Sequence, residues 1–168
     1  MDIYENSCLS SNEAKAVFDY LKKLSQDISV MKDGRTPLFD QYNKTTKVSE
    51  NSILSTYLSG KNIKNHAEDS TMIFPFGFNL SQKKAVNTAL ENNVSVIEGP
   101  PGTGKTQTIL NIIANALSRG KTVGVVSGNN SATANVQEKL EKDGYGFITA
   151  LLGSSAKKKD FFCCIKYN

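Results

Sequence analysis

Eight consecutive residues, Gly99-Pro100-Pro101-Gly102-Thr103-Gly104-Lys105-Thr106, have the types and spacing that bind phosphate. Glycines at 99, 102 and 104 let the backbone curl until several N–H groups converge on one concavity. A helix that starts directly afterwards adds its own open N–H groups and the positive end of its dipole. Lys105 then reaches the outer phosphates as a point charge, and the Thr106 hydroxyl is placed to ligate Mg2+. Lys105 and Thr106 are therefore the catalytic candidates, with Thr106 the metal ligand. Gly99, Gly102, Thr103, Gly104 and Gln107 complete the loop's nucleotide-contacting set. The four fixed positions of such a motif co-occur by chance in roughly one chain of this length in two hundred, so an incidental Gly-rich turn is a poor explanation.

A loop of this kind works when a strand delivers it and a helix receives it. The short apolar run Val94-Ser95-Val96-Ile97-Glu98 predicts the strand. Ile109, Ile112, Ile113, Ala116 and Leu117 recur at i, i+3, i+4, i+7 and i+8, which predicts a helix with one buried stripe, ended at Arg119-Gly120. Thr122 to Val126 reads as a second strand, a helix follows to about Lys142, and Phe147 to Leu152 reads as a third strand. The β-α-β-α-β alternation predicts an α/β fold with a parallel sheet, incomplete at three strands, whose ligands collect at the carboxyl ends of the strands.

Upstream, Leu80-Ser81-Gln82 opens another helix, with Ser81 as its N-cap and Leu80 stapled onto Ala85. Gln82 carries an acceptor oxygen and an amide donor, a pair that can match the N6 and N7 edge of adenine. The aromatic cluster Met72 to Phe78 reads as cover for one edge of a core. Residues 1–60 form a helical N-terminal region: an amphipathic helix over 11–27 capped by Ser10, a turn marked by Asp33-Gly34 and Pro37, and a short helix over 49–57 stopped by Gly60. Its first helix could also hold a protein partner. Residues 61–71 read as a linker, 72–155 as the nucleotide-binding domain and 156–168 as an irregular tail.

Composition narrows the classes. No run approaches eighteen apolar residues and the first residues lack the parts of a signal peptide, which predicts a cytoplasmic protein with no membrane contact. A net charge of +4 is too small to argue for a polyanionic partner. Cys8, Cys163 and Cys164 have no metal-ligand spacing, and His66, the only histidine, lies in a polar stretch. The loop from Ser127 to Asn135 gathers hydroxyls, amides and small side chains before a helix, a surface suited to a nucleic-acid backbone.

Three blocks, in order, resemble superfamily 1 nucleic-acid helicases, specifically the nonsense-mediated-decay and Dna2-like branch. Asn79-Leu80-Ser81-Gln82-Lys83-Lys84-Ala85-Val86 resembles the Q motif, Glu98 to Thr106 resembles motif I (Walker A), and Val125 to Leu140 resembles motif Ia. The resemblance implies a RecA-like P-loop NTPase fold, ATP with Mg2+, adenine recognition by Gln82, and single-stranded DNA or RNA held by Asn130, Ser131 and Ala132. It departs from many relatives at Gly128, where they have Pro, and at Ala134, where they have an acidic residue. Nothing after Thr106 supplies the strand ending in Asp-Glu that ATP hydrolysis of this type needs. The expectation is therefore the ATP-binding front part of a helicase, truncated and hydrolysing little by itself. A stand-alone nucleotide-binding or regulatory module is the alternative, with a P-loop kinase or GTPase behind it.

Overall fold

The computed structural model describes residues 7–28, 36–63, 71–153 and 158–159. Its helices are α1 (Asn12–Ile28), α2 (Pro37–Lys44), α3 (Ile53–Leu58), α4 (Leu80–Glu91), α5 (Lys105–Ser118) and α6 (Asn130–Lys142), with 3-10 turns at Cys8–Ser10 and Gly146–Ile148. The chain divides into two compact units, one of Met1–His66 with Asn92–Val94, the other of Ala67–Glu91 with Ser95–Asn168.

In the first unit Ala14 and Phe18 of α1 are buried with Cys8, Val48 and Leu58. The Phe18 ring meets the Tyr42 ring of α2 edge-on at 5.3 Å. The apolar stripe of α1 thus packs within its own unit. Helix α2 begins at Pro37, which the sequence reading took for a turn; proline is equally suited to the first helical turn, where its missing N–H costs nothing. Ser52 caps α3, accepting from the Ser55 N–H at 3.1 Å. Asp33-Gly34 and His66 lie outside the described residues, as do Cys163, Cys164 and nearly all of the 156–168 tail.

In the second unit α4 packs on α5, and Leu110 and Ile113 of α5 join Val136 and Leu140 of α6 in a small core covered by Phe76. Polar contacts hold the segment before α4. Asn115 and Asn111, both fully buried, turn their amides onto the backbone of residues 73–77. Asn115 accepts from the Ile73 N–H at 3.0 Å and donates to the Ile73 carbonyl at 2.7 Å. Asn111 accepts from the Phe76 N–H at 3.3 Å and donates to the Gly77 carbonyl at 2.7 Å. Gln107, one turn earlier, donates to the Phe76 carbonyl. Three amides at i, i+4 and i+8 on one helix face therefore satisfy backbone groups on either side of the turn at Pro75-Phe76.

The expected α/β fold with a parallel sheet is not what the structure contains. Among the described residues there are helices and isolated bridge positions, the pair Ser7 and Ser49 among them, and no strand ladder. Residues 95–100 and 121–127 run without regular structure, and part of the third expected strand is the 3-10 turn Gly146–Ile148. Val96 and Val126 are 80 and 92% exposed. An apolar run signals a strand only through local pattern, whereas a strand exists through hydrogen bonds to a neighbour, and these runs pair with none. The helix stripe is corrected with it: Ile109 and Leu117 lie at the surface, while Thr108, Asn111 and Asn115 are buried.

Replacing Asn115 by Leu should strand the Ile73 N–H and carbonyl and cost about 2–3 kcal/mol of stability, the penalty for buried polar groups left unpaired. Ile109→Ala, at an exposed position, should change stability by less than about 1 kcal/mol. Urea unfolding of the two variants side by side measures the contrast.

Candidate functional site

The loop Gly99 to Gly104 ends as the N-cap of α5, and Gly104 makes the turn at φ +80°, in the left-handed region. A second constraint adds to this: a Cβ on Gly104 would lie 2.1 Å from Gln82 Nε2, so that side-chain amide would have to move. Within the loop, the Thr103 hydroxyl donates to the Pro100 carbonyl at 2.9 Å. The Lys105 ammonium bends back over the loop, donating to the Gly99 carbonyl and, at 2.8 Å, to that of Pro100. The first intrahelical bond is the Thr108 N–H to the Gly104 carbonyl at 3.0 Å. The N–H groups of Lys105, Thr106 and Gln107 therefore stand at the open end of the helix, where an anion is favoured.

These residues form one wall of a cleft of about 940 Å³. Gly102, Gly104, Lys105, Thr106 and Gln107 line it together with Pro75 and Phe76 before α4 and Lys139, Asp143 and Tyr145 at the end of α6. Phe76 and Tyr145 meet edge-on, their centroids 5.6 Å apart. The mouth thus has two lysines and one carboxylate. Lys105, though exposed, is held against carbonyl oxygens that a phosphate oxygen can replace as acceptors for the same ammonium.

Gln82 sits behind the loop and is 7% exposed. Its amide nitrogen donates toward the Thr103 carbonyl at 3.3 Å, the Gly104 carbonyl at 3.4 Å and Gln107 Oε1 at 3.0 Å. Its oxygen accepts from the Asn79 N–H at 2.8 Å, and Asn79 Oδ1 accepts from the Gln82 N–H at 2.8 Å. This reciprocal pair caps α4, so the cap is Asn79 rather than Ser81. Leu80, expected to staple onto Ala85, is 84% exposed.

Asn130, Ser131 and Ala132 open α6 and are all exposed. Asn129 is the N-cap: its side-chain oxygen accepts from the Ser131 N–H at 3.0 Å and the Ser131 hydroxyl at 2.9 Å. None of the three lines the cleft. The structure therefore brings Gln82, Gly102, Gly104, Lys105, Thr106 and Gln107 together and leaves the 130–132 group apart. Sequence reasoning missed Asn79, Asn111 and Asn115. For Asn111 and Asn115 the signal was present as amides at four-residue spacing after Gln107, on a helix otherwise read for its isoleucines, and for Asn79 as a capping residue three positions before Gln82.

Residues 77–160, half of the chain, match the family model AAA_11, described as an AAA domain. The chain is 39% identical to the DNA polymerase alpha-associated DNA helicase A of Schizosaccharomyces pombe over 42% of its length and 11% of that protein. It is 42% identical to the DNA-binding protein SMUBP-2 of Mesocricetus auratus over 42% of its length and 8% of that protein. It is also 42% identical to the regulator of nonsense transcripts 1 homolog of Drosophila melanogaster, over 38% of its length and 6% of that protein. The chain spans about a tenth of the length of such relatives or less. No solved structure gives a significant match. Among the described residues no helix is long and apolar enough to cross a membrane.

Gly104→Ala should cost about 1–3 kcal/mol, because it combines left-handed strain with collision against Gln82. Gly102→Ala, at φ +85° but with nothing within 4 Å of the added Cβ, should cost about 1 kcal/mol. Thermal unfolding of both variants reads the difference, which is the Gln82 contact.

Proposed function

The chain belongs to the AAA-domain family and carries the stretch it shares with superfamily 1 helicases; from that premise we propose that its Gly-rich loop is a Walker A site holding the triphosphate of ATP, within a segment of an ATP-dependent DNA or RNA helicase. The observation that carries this reading is the start of α5, where the left-handed Gly104, the open N–H groups and the Lys105 ammonium converge on one cleft. The α5 dipole and Lys105 offset the triphosphate charge, while Gly102 leaves open space for a phosphate to approach the backbone.

The residues present fit Mg2+ as a shared rather than a caged ion. Among the described residues no group of three His, Cys, Asp or Glu could hold a metal, but the half-buried Thr106 faces the cleft. Mg2+ keeps most of its waters and takes one or two protein oxygens alongside phosphate oxygens, so the Thr106 hydroxyl would supply its protein contact. When bound, the ion neutralises triphosphate charge. Among the described residues Asp143, in the turn after α6, is the one carboxylate lining the cleft, which supports a reading of ATP binding with little hydrolysis by these residues themselves.

Nucleic acid belongs on the exposed start of α6. Asn130 and Ser131 present polar side chains and Ala132 a small one at a helix N-terminus, suited to contact with a sugar-phosphate backbone.

Calorimetric titration of the purified chain with Mg·ATP should give binding that Lys105→Ala weakens by about 1.5–3 kcal/mol, the worth of hydrogen bonds from a charged donor. Unchanged affinity in that variant sinks the Walker A reading. A single-stranded oligonucleotide should bind with an affinity that falls as salt rises, and Ser131→Glu should weaken it by repelling phosphate. Binding indifferent to both salt and the added charge would remove the 130–132 assignment.

A further inference from the structure

Three donors meet on the Pro100 carbonyl. The Thr103 N–H approaches it at 3.5 Å, the Thr103 hydroxyl donates to it at 2.9 Å and the Lys105 ammonium at 2.8 Å. The backbone bond that would close the turn from Pro100 to Thr103 is thus stretched, and the hydroxyl of the same residue makes the shorter contact. A carbonyl oxygen has two lone pairs, so hydroxyl and ammonium fill it between them and each limits what the other gains. The hydroxyl also faces Gly99, where a Cβ would lie 2.7 Å from Thr103 Oγ1. Gly102 and Gly104 have φ of +85° and +80°, whereas Gly99 is not among the left-handed glycines, so its backbone does not itself ask for glycine. What excludes a side chain at 99 is the Thr103 oxygen. Neither Gly99 nor Thr103 lines the cleft.

We propose that Thr103 is a positioning residue whose hydroxyl clasps the loop through the Pro100 carbonyl, and that position 99 is glycine to admit that hydroxyl. These roles stand in place of the nucleotide contacts that the sequence reading assigns to both residues. The clasp has two consequences for the ligand. It holds the turn that leads into Gly104 and the open end of α5, and it occupies an acceptor that would otherwise hold Lys105 more firmly. When a phosphate oxygen takes the ammonium, the Pro100 carbonyl keeps the hydroxyl as its partner and the turn stays closed. The inference rests on the Walker A reading above.

The test uses the full chain, titrated with Mg·ATP and with inorganic tripolyphosphate. Thr103→Val keeps the branched shape and removes the hydroxyl; it should weaken both ligands about fivefold, the effect of one lost neutral hydrogen bond. Thr103→Ser keeps the hydroxyl and should stay within about twofold of the wild type. Gly99→Ala should weaken both ligands by a factor of about five to ten, since the added Cβ displaces the hydroxyl. In a chain already carrying Thr103→Ala, the same Gly99→Ala change should add less than about twofold, because the obstructing oxygen is gone. Should Gly99→Ala fail to fold, the Thr103→Ser and Thr103→Val pair decides alone. Equal affinities in those two variants overturn the inference, and so does a Gly99→Ala loss that is the same with and without the hydroxyl. Both outcomes leave the Walker A reading standing. Wild-type chain that binds neither ATP nor tripolyphosphate overturns the Walker A reading and this inference with it.

Discussion

The unit that contains the Gly-rich loop depends on side-chain amides hydrogen-bonded to backbone. Asn115, Asn111 and Gln107 lie on one face of α5 and take up polar groups of residues 73–77, and Gln82 carries the same pattern into the Gly-rich loop. Each amide offers a donor and an acceptor, as a peptide group does, so a helix face can satisfy the backbone groups of a turn packed on it. The arrangement has little tolerance. Asn111 and Asn115 are fully buried, and a buried amide that lost its partners would cost more than its hydrogen bonds contribute. The segment before α4 and the loop before α5 are thereby fixed to the same helix.

That fixation matters at the loop because little else holds it. Its flanking residues 95–98 run without ladder partners, and Val96 is largely in solvent. What shapes the loop is local: the Thr103 hydroxyl on Pro100, the Lys105 ammonium folded onto the carbonyls of Gly99 and Pro100, and Gln82 behind. The lysine contacts have a chemical consequence. The ammonium is already turned onto the loop's carbonyl oxygens, and a phosphate oxygen, bearing formal charge, would be a stronger acceptor than either of them. Ligand binding thus exchanges weaker acceptors for stronger ones around the same cation.

The sequence reading did best where structure is local. The stop of α3 near Gly60, the amphipathic α1 and the end of α6 at Lys142 follow from patterns within one or two turns, whereas α3 begins at Ile53 rather than at 49 and α6 already at Asn130, inside the stretch read as a loop. It did worst where a pattern needs a distant partner. Val94 to Glu98 and Thr122 to Val126 have strand composition, yet composition cannot supply a neighbouring strand. Pro37 misled in the opposite direction, because one fixed φ serves a turn and a first helical turn alike. The asparagines of α5 were passed over because a polar residue in a helix is normally at the surface; burial was possible only because a backbone segment forty residues away in sequence satisfies them.

By itself the sequence picked out the Gly-rich loop proposed to bind phosphate, through the types and spacing of Gly99, Gly102, Gly104, Lys105 and Thr106, and the helicase resemblance followed from the same residues and their neighbours. Only the tertiary structure decided what Gln82 faces, which side of α5 is buried, and that residues 130–132 stand apart from the cleft. The physical reason is range. Glycine conformation, helix capping and the reach of a lysine are set within a few residues, whereas the partners of a buried amide come from wherever the chain returns.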